Sequence, residues 1–162
     1  MNRSVSARPA EEHEVALVLG FIRELAEFEH LSHEVVATEE QLRQALFGLR
    51  PVAEVVFACV DAKPVGFALF FHSFSTFLGR PGLYLEDLFV RPAERGHGVG
   101  RYVLGWLARV ALERGCGRLE WAVLDWNSAA IGFYQKLGAE LKEEWTTCRV
   151  AGAALESLAA RD

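Results

Sequence analysis

The sequence predicts an α/β (α+β) fold in which a mixed, mostly antiparallel central sheet carries helices on both faces. Two β-branched and aromatic runs, EVVFACV and VGFALFFH, flank the turn-rich tetrapeptide DAKP, a pattern that favours an antiparallel hairpin. Further along, LYLEDLFV, a helical stretch and RLEWAVL follow one another, an order typical of a parallel crossover. Apolar residues make up 51% of the 162 positions, which is enough for one packed core.

The first third of the chain predicts one strand and two helices. SVSAR, from Ser4 to Arg8, forms a short first strand. Apolar residues recur at helical spacing between Glu11 and Phe28, which predicts an amphipathic helix. Thr38 and Gln41 form a capping-box pattern that opens a second helix ending near Gly48.

After the hairpin, the pattern alternates between strands and helices with short connections. FSTFLGRPG reads as a loop, and Gly115 as the end of a helix. The predicted elements are a central strand at 83–90, a helix at 101–114, a strand at 118–124, a helix at 128–138 and a last strand, WTTCRV, at 145–150. We expect one domain over residues 4–150 and a C-terminal tail over 151–162.

Charge and cysteine content limit the partners. The net charge of −5 argues against nucleic acid or an anionic membrane and suits a cationic substrate. Three cysteines, Cys59, Cys116 and Cys148, lack disulfide or zinc spacing, so we expect them reduced in the core and no metal. The sequence shows neither a membrane-spanning run nor a signal sequence, which indicates the cytoplasm.

A glycine-rich stretch, Arg95–Gly100, stands at the start of the predicted helix 101–114. Unpaired N–H groups at a helix N-terminus attract anions, glycines let a phosphate approach the backbone, and Arg95 adds positive charge. We interpret this glycine loop as a diphosphate site, with a plain tight turn as the alternative. A dinucleotide fingerprint would need glycine at Arg101 or Val103, and the P-loop lysine is also missing.

Two adjacent carboxylates, Glu86 and Asp87, interrupt the apolar strand 83–90. Strand alternation sends their side chains to opposite faces, so at most one is expected to point directly into a cleft. A functional role is one interpretation. The alternative is that they cap neighbouring loops or pair with Arg91.

Two motifs together resemble the GNAT superfamily of acetyl-CoA-dependent N-acetyltransferases. One is R-x-x-G-x-G at Arg95–Gly100, and the other is N-x-x-A-x-x-F-Y-x-x-x-G-A within WNSAAIGFYQKLGAE. LYLEDLFVRP, RELAEFEH and the C-terminal EEW are similar to the spermidine/spermine (diamine) and thialysine N-acetyltransferase branch, over about residues 8–150. The chain departs from that branch at Phe28, in the short stretch before Trp145 and in HSFSTFLGRPG, which puts polyamine specificity in doubt.

The resemblance implies a GNAT-like sheet with a parallel splayed strand pair, a bulge in strand 83–90, acetyl-CoA as cosubstrate and a homodimer. The residues that it assigns to the coenzyme are Leu88, Phe89, Val90, Arg95, Gly96, His97, Gly98, Val99, Gly100, Arg101, Asn127, Ala130 and Tyr134. An N–H near Phe89 or Val90 would also face the thioester carbonyl.

The same resemblance implies the catalytic groups and the acceptor site. Tyr134 would serve as general acid, and Glu86 as substrate anchor and as base through water. The acceptor residues would be Phe28, Glu29, Glu86, Asp87 and Trp145. The acceptor would be a polyamine, a diamine or a lysine-like amino acid such as thialysine. A noncatalytic acyl-CoA-binding module, another small-amine GNAT enzyme and a different nucleotide-binding domain are the alternatives.

Overall fold

The computed structural model describes residues 3–160 of the chain. The chain divides into two compact units, Met1–Ala122 and Val123–Asp162, each described by itself below. The first unit holds strands β1 (Val5–Pro9), β2 (Glu54–Val60), β3 (Lys63–Ser75), β4 (Arg80–Val90) and β5 (Leu119–Trp121), with helices α1 (Val15–Phe28), α2 (Glu39–Phe47) and α3 (Val99–Glu113).

The five strands form one sheet in the order β1-β2-β3-β4-β5. The first three pairings are antiparallel and β4–β5 is parallel, so the predicted mixed sheet is confirmed. β2 and β3 form the predicted hairpin, whose turn residues Asp61 and Ala62 both have positive φ, as the tightest hairpin turns require.

Helices cover both faces of this sheet, as predicted. On one face, Phe21 of α1 and Leu46 of α2 pack against Phe57, Phe67 and Phe89 of three adjacent strands. On the other face, the ring of Trp106 of α3 lies 6.2 Å from that of Phe70 on β3. Phe89 thus anchors β4, the strand that carries the candidate site residues 86–90, in the core on the α1 face.

Helix boundaries follow the caps that the sequence predicts. The Thr38 hydroxyl accepts a hydrogen bond from the Gln41 N–H at 3.2 Å and opens α2, which Gly48 ends. α3 ends at Arg114, and Gly115 continues the chain with a φ of 68°, the left-handed conformation that favours glycine at a helix end.

The predicted loop FSTFLGRPG is wrong at both ends, because β3 runs to Ser75 and β4 begins at Arg80. Antiparallel pairing satisfies backbone groups regardless of side-chain polarity, so the hairpin extends beyond the core. Pro81 lies near the start of β4, where a strand tolerates proline. Only Thr76–Gly79 forms the turn.

β5 is shorter than the predicted strand 118–124. Its parallel pairing with β4 covers three residues and ends where Leu85 lies opposite Trp121. The next residue of β4, Glu86, is the extra residue of a bulge, because Leu69 pairs with Asp87 while Phe70 pairs with Leu85. The bulge that the family resemblance implies is therefore present, and the parallel pairing of β4 with β5 ends at the residue before the bulge.

The second unit contains helices α4 (Ser128–Lys136) and α5 (Gly152–Ala159). The predicted last strand, Trp145–Val150, is wrong: these residues form no ladder and are exposed. Strand propensity depends on a partner against which side chains pack, and its threonines and valine lack one in the described unit. Cys148 is exposed too, contrary to the expectation for all three cysteines, whereas Cys59 and Cys116 are buried.

Within residues 3–160, no helix is both long enough and apolar enough to cross a membrane.

Candidate active site

The glycine loop leads from the end of β4 into α3. Gly96 and Gly98 have φ values of 77° and 82°, and a Cβ built at either position would meet no heavy atom within 4 Å. These glycines are therefore required by backbone direction rather than by crowding. Gly96, His97 and Gly98 are exposed, so the loop is open to a ligand.

The N-terminus of α3 has no side-chain cap. Gly98 occupies the capping position in the left-handed conformation, and no acidic residue lies in the first turn. Arg101 lies there instead, although a positive charge at this end opposes the helix dipole. Uncapped N–H groups at 99–101 together with this charge suit a bound anion.

Arg95 connects the loop to neighbouring elements. Its Nε donates a hydrogen bond to the Val90 carbonyl at 2.8 Å. Its guanidinium carbon lies 4.2 Å from the ring centroid of Phe28 and 5.6 Å from that of Phe89. The terminal guanidinium nitrogens make no hydrogen bond to any residue in the described range 3–160, so they are available to a ligand.

The last residues of β4, Leu88–Val90, pair with β3 on one side only. Within the first unit, no strand pairs with them on the β5 side, because β5 stops pairing at Leu85. On the other side, Gly66 of β3 pairs with Val90, and the two strands approach so closely that a Cβ on Gly66 would lie only 2.1 Å from the Phe89 carbonyl oxygen. This edge can therefore accept an extended ligand in the manner of an added strand.

Three carboxylates share the region of the bulge, and we call Glu29, Glu86 and Asp87 the acidic cluster. Burial, then the charges of Glu86 and Glu29, raise the pKa of Asp87 from 3.8 to about 6. Burial raises the pKa of Glu29 as well. Glu86 is the exposed member. Each ionised carboxylate disfavours the others, so a bound cation would relieve the repulsion.

The sequence analysis placed Glu86 and Asp87 on opposite faces because side chains alternate along a regular strand. That alternation does not hold across the bulge. The register puts Leu85 opposite Phe70 and Asp87 opposite Leu69, so Leu85 and Asp87 lie on opposite faces of the sheet. Asp87 thereby lies on the α1 face, where Glu29 ends the helix.

Arg91, which the sequence offered as a structural partner for these carboxylates, pairs with another residue. Its Nε and terminal nitrogen donate to the Glu24 carboxylate at 2.9 and 2.7 Å. Its guanidinium also lies 4.7 Å from the Phe21 ring centroid. Arg91 thus fastens β4 to α1 through Glu24.

Sequence reasoning missed Tyr84, two residues before Glu86 on β4. Burial, then the charges of Glu86 and Glu120, raise its phenol pKa. Its ring centroid lies 5.3 Å from that of Phe71 on β3. The nearness of Tyr84 to Glu86 and Asp87 in LYLEDLFV was the sequence signal that could have pointed to this tyrosine.

The remaining predicted residues lie in the second unit. The Asn127 side chain accepts a hydrogen bond from the Ala130 N–H at 3.2 Å and caps α4. The Tyr134 ring, on the same helix, is partly exposed and lies 5.4 Å from the Phe133 ring, centroid to centroid. Trp145 is 77% exposed.

The first unit thus combines, on one mixed sheet, a glycine loop at an uncapped helix N-terminus, an open strand edge and an acidic cluster. The acetyltransferase (GNAT) family model matches residues 20–139. The chain therefore belongs to the GNAT family of acetyltransferases, and it is an N-acetyltransferase. Acetyl-CoA is the cosubstrate of that family.

Individual relatives cover nearly the whole chain. It is 41% identical to thialysine N-epsilon-acetyltransferase of Mus musculus, over 98% of this chain and 99% of that protein. It is 31% identical to an L-ornithine N5-acetyltransferase of Arabidopsis thaliana, over 93% and 86% of the two chains. Among solved structures, an integron cassette protein from the mobile metagenome of V. cholerae superposes with a TM-score of 0.81 at 29% identity, covering 99% and 100% of the chains.

Proposed function

We propose that this N-acetyltransferase acetylates the side-chain amine of a small lysine-like amino acid, with diamines and polyamines as further acceptors. The observation that carries the proposal is the acidic cluster, in which burial and the charges of Glu86 and Glu29 raise the pKa of Asp87 beside the end of β4. A cationic amine neutralises this charge. The thialysine and ornithine enzymes among the relatives support the choice of a lysine-like acceptor.

The residues of the glycine loop fit the coenzyme. The uncapped N-terminus of α3 and the terminal nitrogens of Arg95 and Arg101 would hold its pyrophosphate. The open backbone of Leu88–Val90 would hold the pantetheine arm, and an N–H near Phe89 or Val90 would stabilise the oxyanion. Bound acetyl-CoA would supply a thioester: an unprotonated amine forms the C–N bond at the carbonyl carbon, and the C–S bond then breaks to release the coenzyme A thiolate.

Deprotonation of the amine falls to the acidic cluster. An alkylamine has a pKa of about 10.4 and arrives protonated at neutral pH. Asp87, partly buried, retains the ammonium, and Glu86, which is exposed, takes its proton through water. Burial and like charges perturb carboxylates at such sites, and both act on Asp87.

Tyr134 completes the proposal as the proton donor to the departing thiolate. Its support is the match of the second motif, in which Asn127 and Ala130 take their expected spacing. The Asn127 cap fixes the start of the helix that bears the tyrosine. Phe28, Glu29 and Trp145 are proposed as acceptor contacts.

A thiol-release assay with acetyl-CoA across lysine, thialysine, ornithine, diamines and polyamines tests the proposal. We expect turnover that is highest with a lysine-like acceptor. Tyr134→Phe should keep coenzyme A binding in calorimetry and lower kcat by about 10²-fold. Binding without turnover on any amine would favour the noncatalytic acyl-CoA module.

A homodimer in the cytoplasm is also part of the proposal. The family resemblance supports the dimer, and Cys59, Cys116 and Cys148, which form no disulfide, suit a reducing compartment. Light scattering coupled to size exclusion tests the dimer, where a mass of one chain, 18.0 kDa, would contradict it.

A further inference from the structure

The end of α1 contacts both halves of the site through two consecutive residues. Phe28 is the last residue of the helix, and its ring lies under the Arg95 guanidinium at 4.2 Å. Glu29 follows it, and its charge acts on Asp87. The helix end therefore contacts the glycine loop through Phe28 and contributes Glu29 to the acidic cluster.

The direction of the Arg95 side chain is set by three contacts. Nε donates to the Val90 carbonyl, and the ring centroids of Phe28 and Phe89 lie 4.2 and 5.6 Å from the guanidinium carbon. The Phe28 ring is the nearer of the two. Without it, the side chain would keep one hydrogen bond and the more distant ring, and a long arginine side chain would regain rotamer freedom.

Phe28 is itself held in place by the core. It packs against the buried cluster that contains Phe21, Phe57 and Phe89. A ring anchored in this way can restrict an exposed arginine, because the ordering is established when the core folds rather than when the ligand binds.

We propose that Phe28 is a positioning residue for the coenzyme: it holds Arg95 so that its terminal nitrogens face the pyrophosphate. The inference rests on the proposed function and assigns Phe28 an effect on coenzyme affinity, whereas the sequence predicted only a contact with the amine. A stacked cation–π pair accounts for about a 3- to 30-fold change in affinity.

Calorimetry with coenzyme A on the full chain tests this role. Phe28→Leu should weaken Kd by about 3- to 30-fold. Phe28→Tyr keeps a ring under the guanidinium and should bind within about twofold of the wild type. In an Arg95→Ala background, Phe28→Leu should have no further effect, because the partner of the ring is gone.

Phe47→Leu is the matched control. Phe47 packs against the same core at the end of α2, so the same truncation there should leave Kd unchanged. If Phe28→Leu fails to fold by thermal denaturation, Arg95→Lys carries the test, since lysine keeps the charge but loses the planar stacking and the Nε donor. Its affinity should fall by a similar factor.

The outcomes that would overturn the inference differ from the one that would overturn the proposed function. A wild type that binds coenzyme A and a Phe28→Leu variant that binds it equally well would overturn the inference alone. So would an equal loss in the Arg95→Ala background, or a Phe28→Tyr variant as weak as Phe28→Leu. A wild type that shows no heat of binding with coenzyme A would overturn the function itself.

Discussion

The glycine loop and two carboxylates of the acidic cluster, Glu86 and Asp87, lie at the two ends of one short segment, Glu86–Arg101, and the two regions carry opposite charge by different means. In the loop, the positive potential comes from backbone N–H groups at an uncapped helix end, supplemented by Arg95 and Arg101. In the cluster, the negative potential comes from three carboxylates, and the charges of Glu86 and Glu29 add to burial in raising the pKa of Asp87.

The difference teaches how each region can be altered. A backbone site depends on conformation, so Gly96 and Gly98 control it although they contribute no atom beyond the main chain. A side-chain site depends on ionisation, so isosteric replacements such as Glu→Gln change its charge and leave its shape. The predictions below test this separation.

Neutralising the cluster should produce the largest effect. Glu86→Gln removes the proposed base and should lower kcat by about 10²- to 10⁴-fold. Asp87→Asn removes the ammonium anchor and should chiefly raise KM for the amine. Steady-state kinetics distinguish the two, and both variants should bind coenzyme A as the wild type does. Weakened coenzyme binding in either would contradict the separation of the two regions.

The pH profile sharpens this prediction. Asp87 loses its charge as the pH falls through about 6, so wild-type kcat/KM should decline on the acidic side of that value. Asp87→Asn cannot titrate and should lack this limb. An unchanged limb in the variant would assign it to another group.

The second largest effect should be on the free energy of unfolding, which Asp87→Asn should increase although it impairs activity. The pKa rise of Asp87 from 3.8 to about 6 corresponds to about 3 kcal/mol of unfavourable free energy when the group is ionised in the folded state. A raised folded-state pKa favours folding below the unfolded pKa, and this contribution is lost as the pH rises through about 6. Asp87→Asn should therefore be more stable at pH 7.5, by up to about 3 kcal/mol.

Urea unfolding at several pH values measures that difference. The advantage of Asp87→Asn should shrink as the pH falls from 7.5 towards 4, where the wild-type carboxyl is protonated in the folded state. A pH-independent difference would mean that the substitution acts through packing rather than charge.

The smallest effect should come from the loop. Gly98→Ala forces a residue with a Cβ to a φ of 82°, at a cost of about 1–2 kcal/mol, without a clash. The loop of the free variant should relax away from this conformation and be strained again on binding, so coenzyme A affinity should fall by about 5- to 30-fold, while the pKa near 6 in the pH profile stays unchanged. Gly20→Ala, on α1 with open space around it, is a control that should leave affinity unchanged. A shift of the profile by Gly98→Ala would show that the regions are coupled.

Most of the first unit could be predicted from its sequence, because local signals agree with the fold there. Periodicity gave the helices, DAKP gave the hairpin, and Thr38 and Gly115 marked helix ends. The length of β3 and β4 could not be predicted, since an antiparallel ladder extends through residues with turn propensity once pairing has begun. The strand predicted for WTTCRV was wrong for the reverse reason: its residues have strand propensity, but no strand of the described second unit pairs with them.

The site followed the same division. The glycine loop was evident, because Gly96 and Gly98 report a backbone requirement directly. The relation of Glu86 to Asp87 was obscured, because pairing across the sheet rather than local spacing determines where a bulge falls. The stacking of Arg95 on Phe28 joins residues 67 positions apart, a contact that no local pattern reports.

The bulge residue Glu86 reverses which side chains of β4 face each side of the sheet. Before it, odd-numbered side chains such as Leu85 face the layer of α3, and after it odd-numbered side chains such as Phe89 face the layer of α1. Deleting Glu86 would remove the bulge as well as a carboxylate. Side chains would then alternate without interruption along β4, so the apolar residues either before or after this position would face the opposite helix layer. An insertion or deletion here should therefore disturb the fold far more than a substitution of Glu86, which leaves the pairing register of β4 intact.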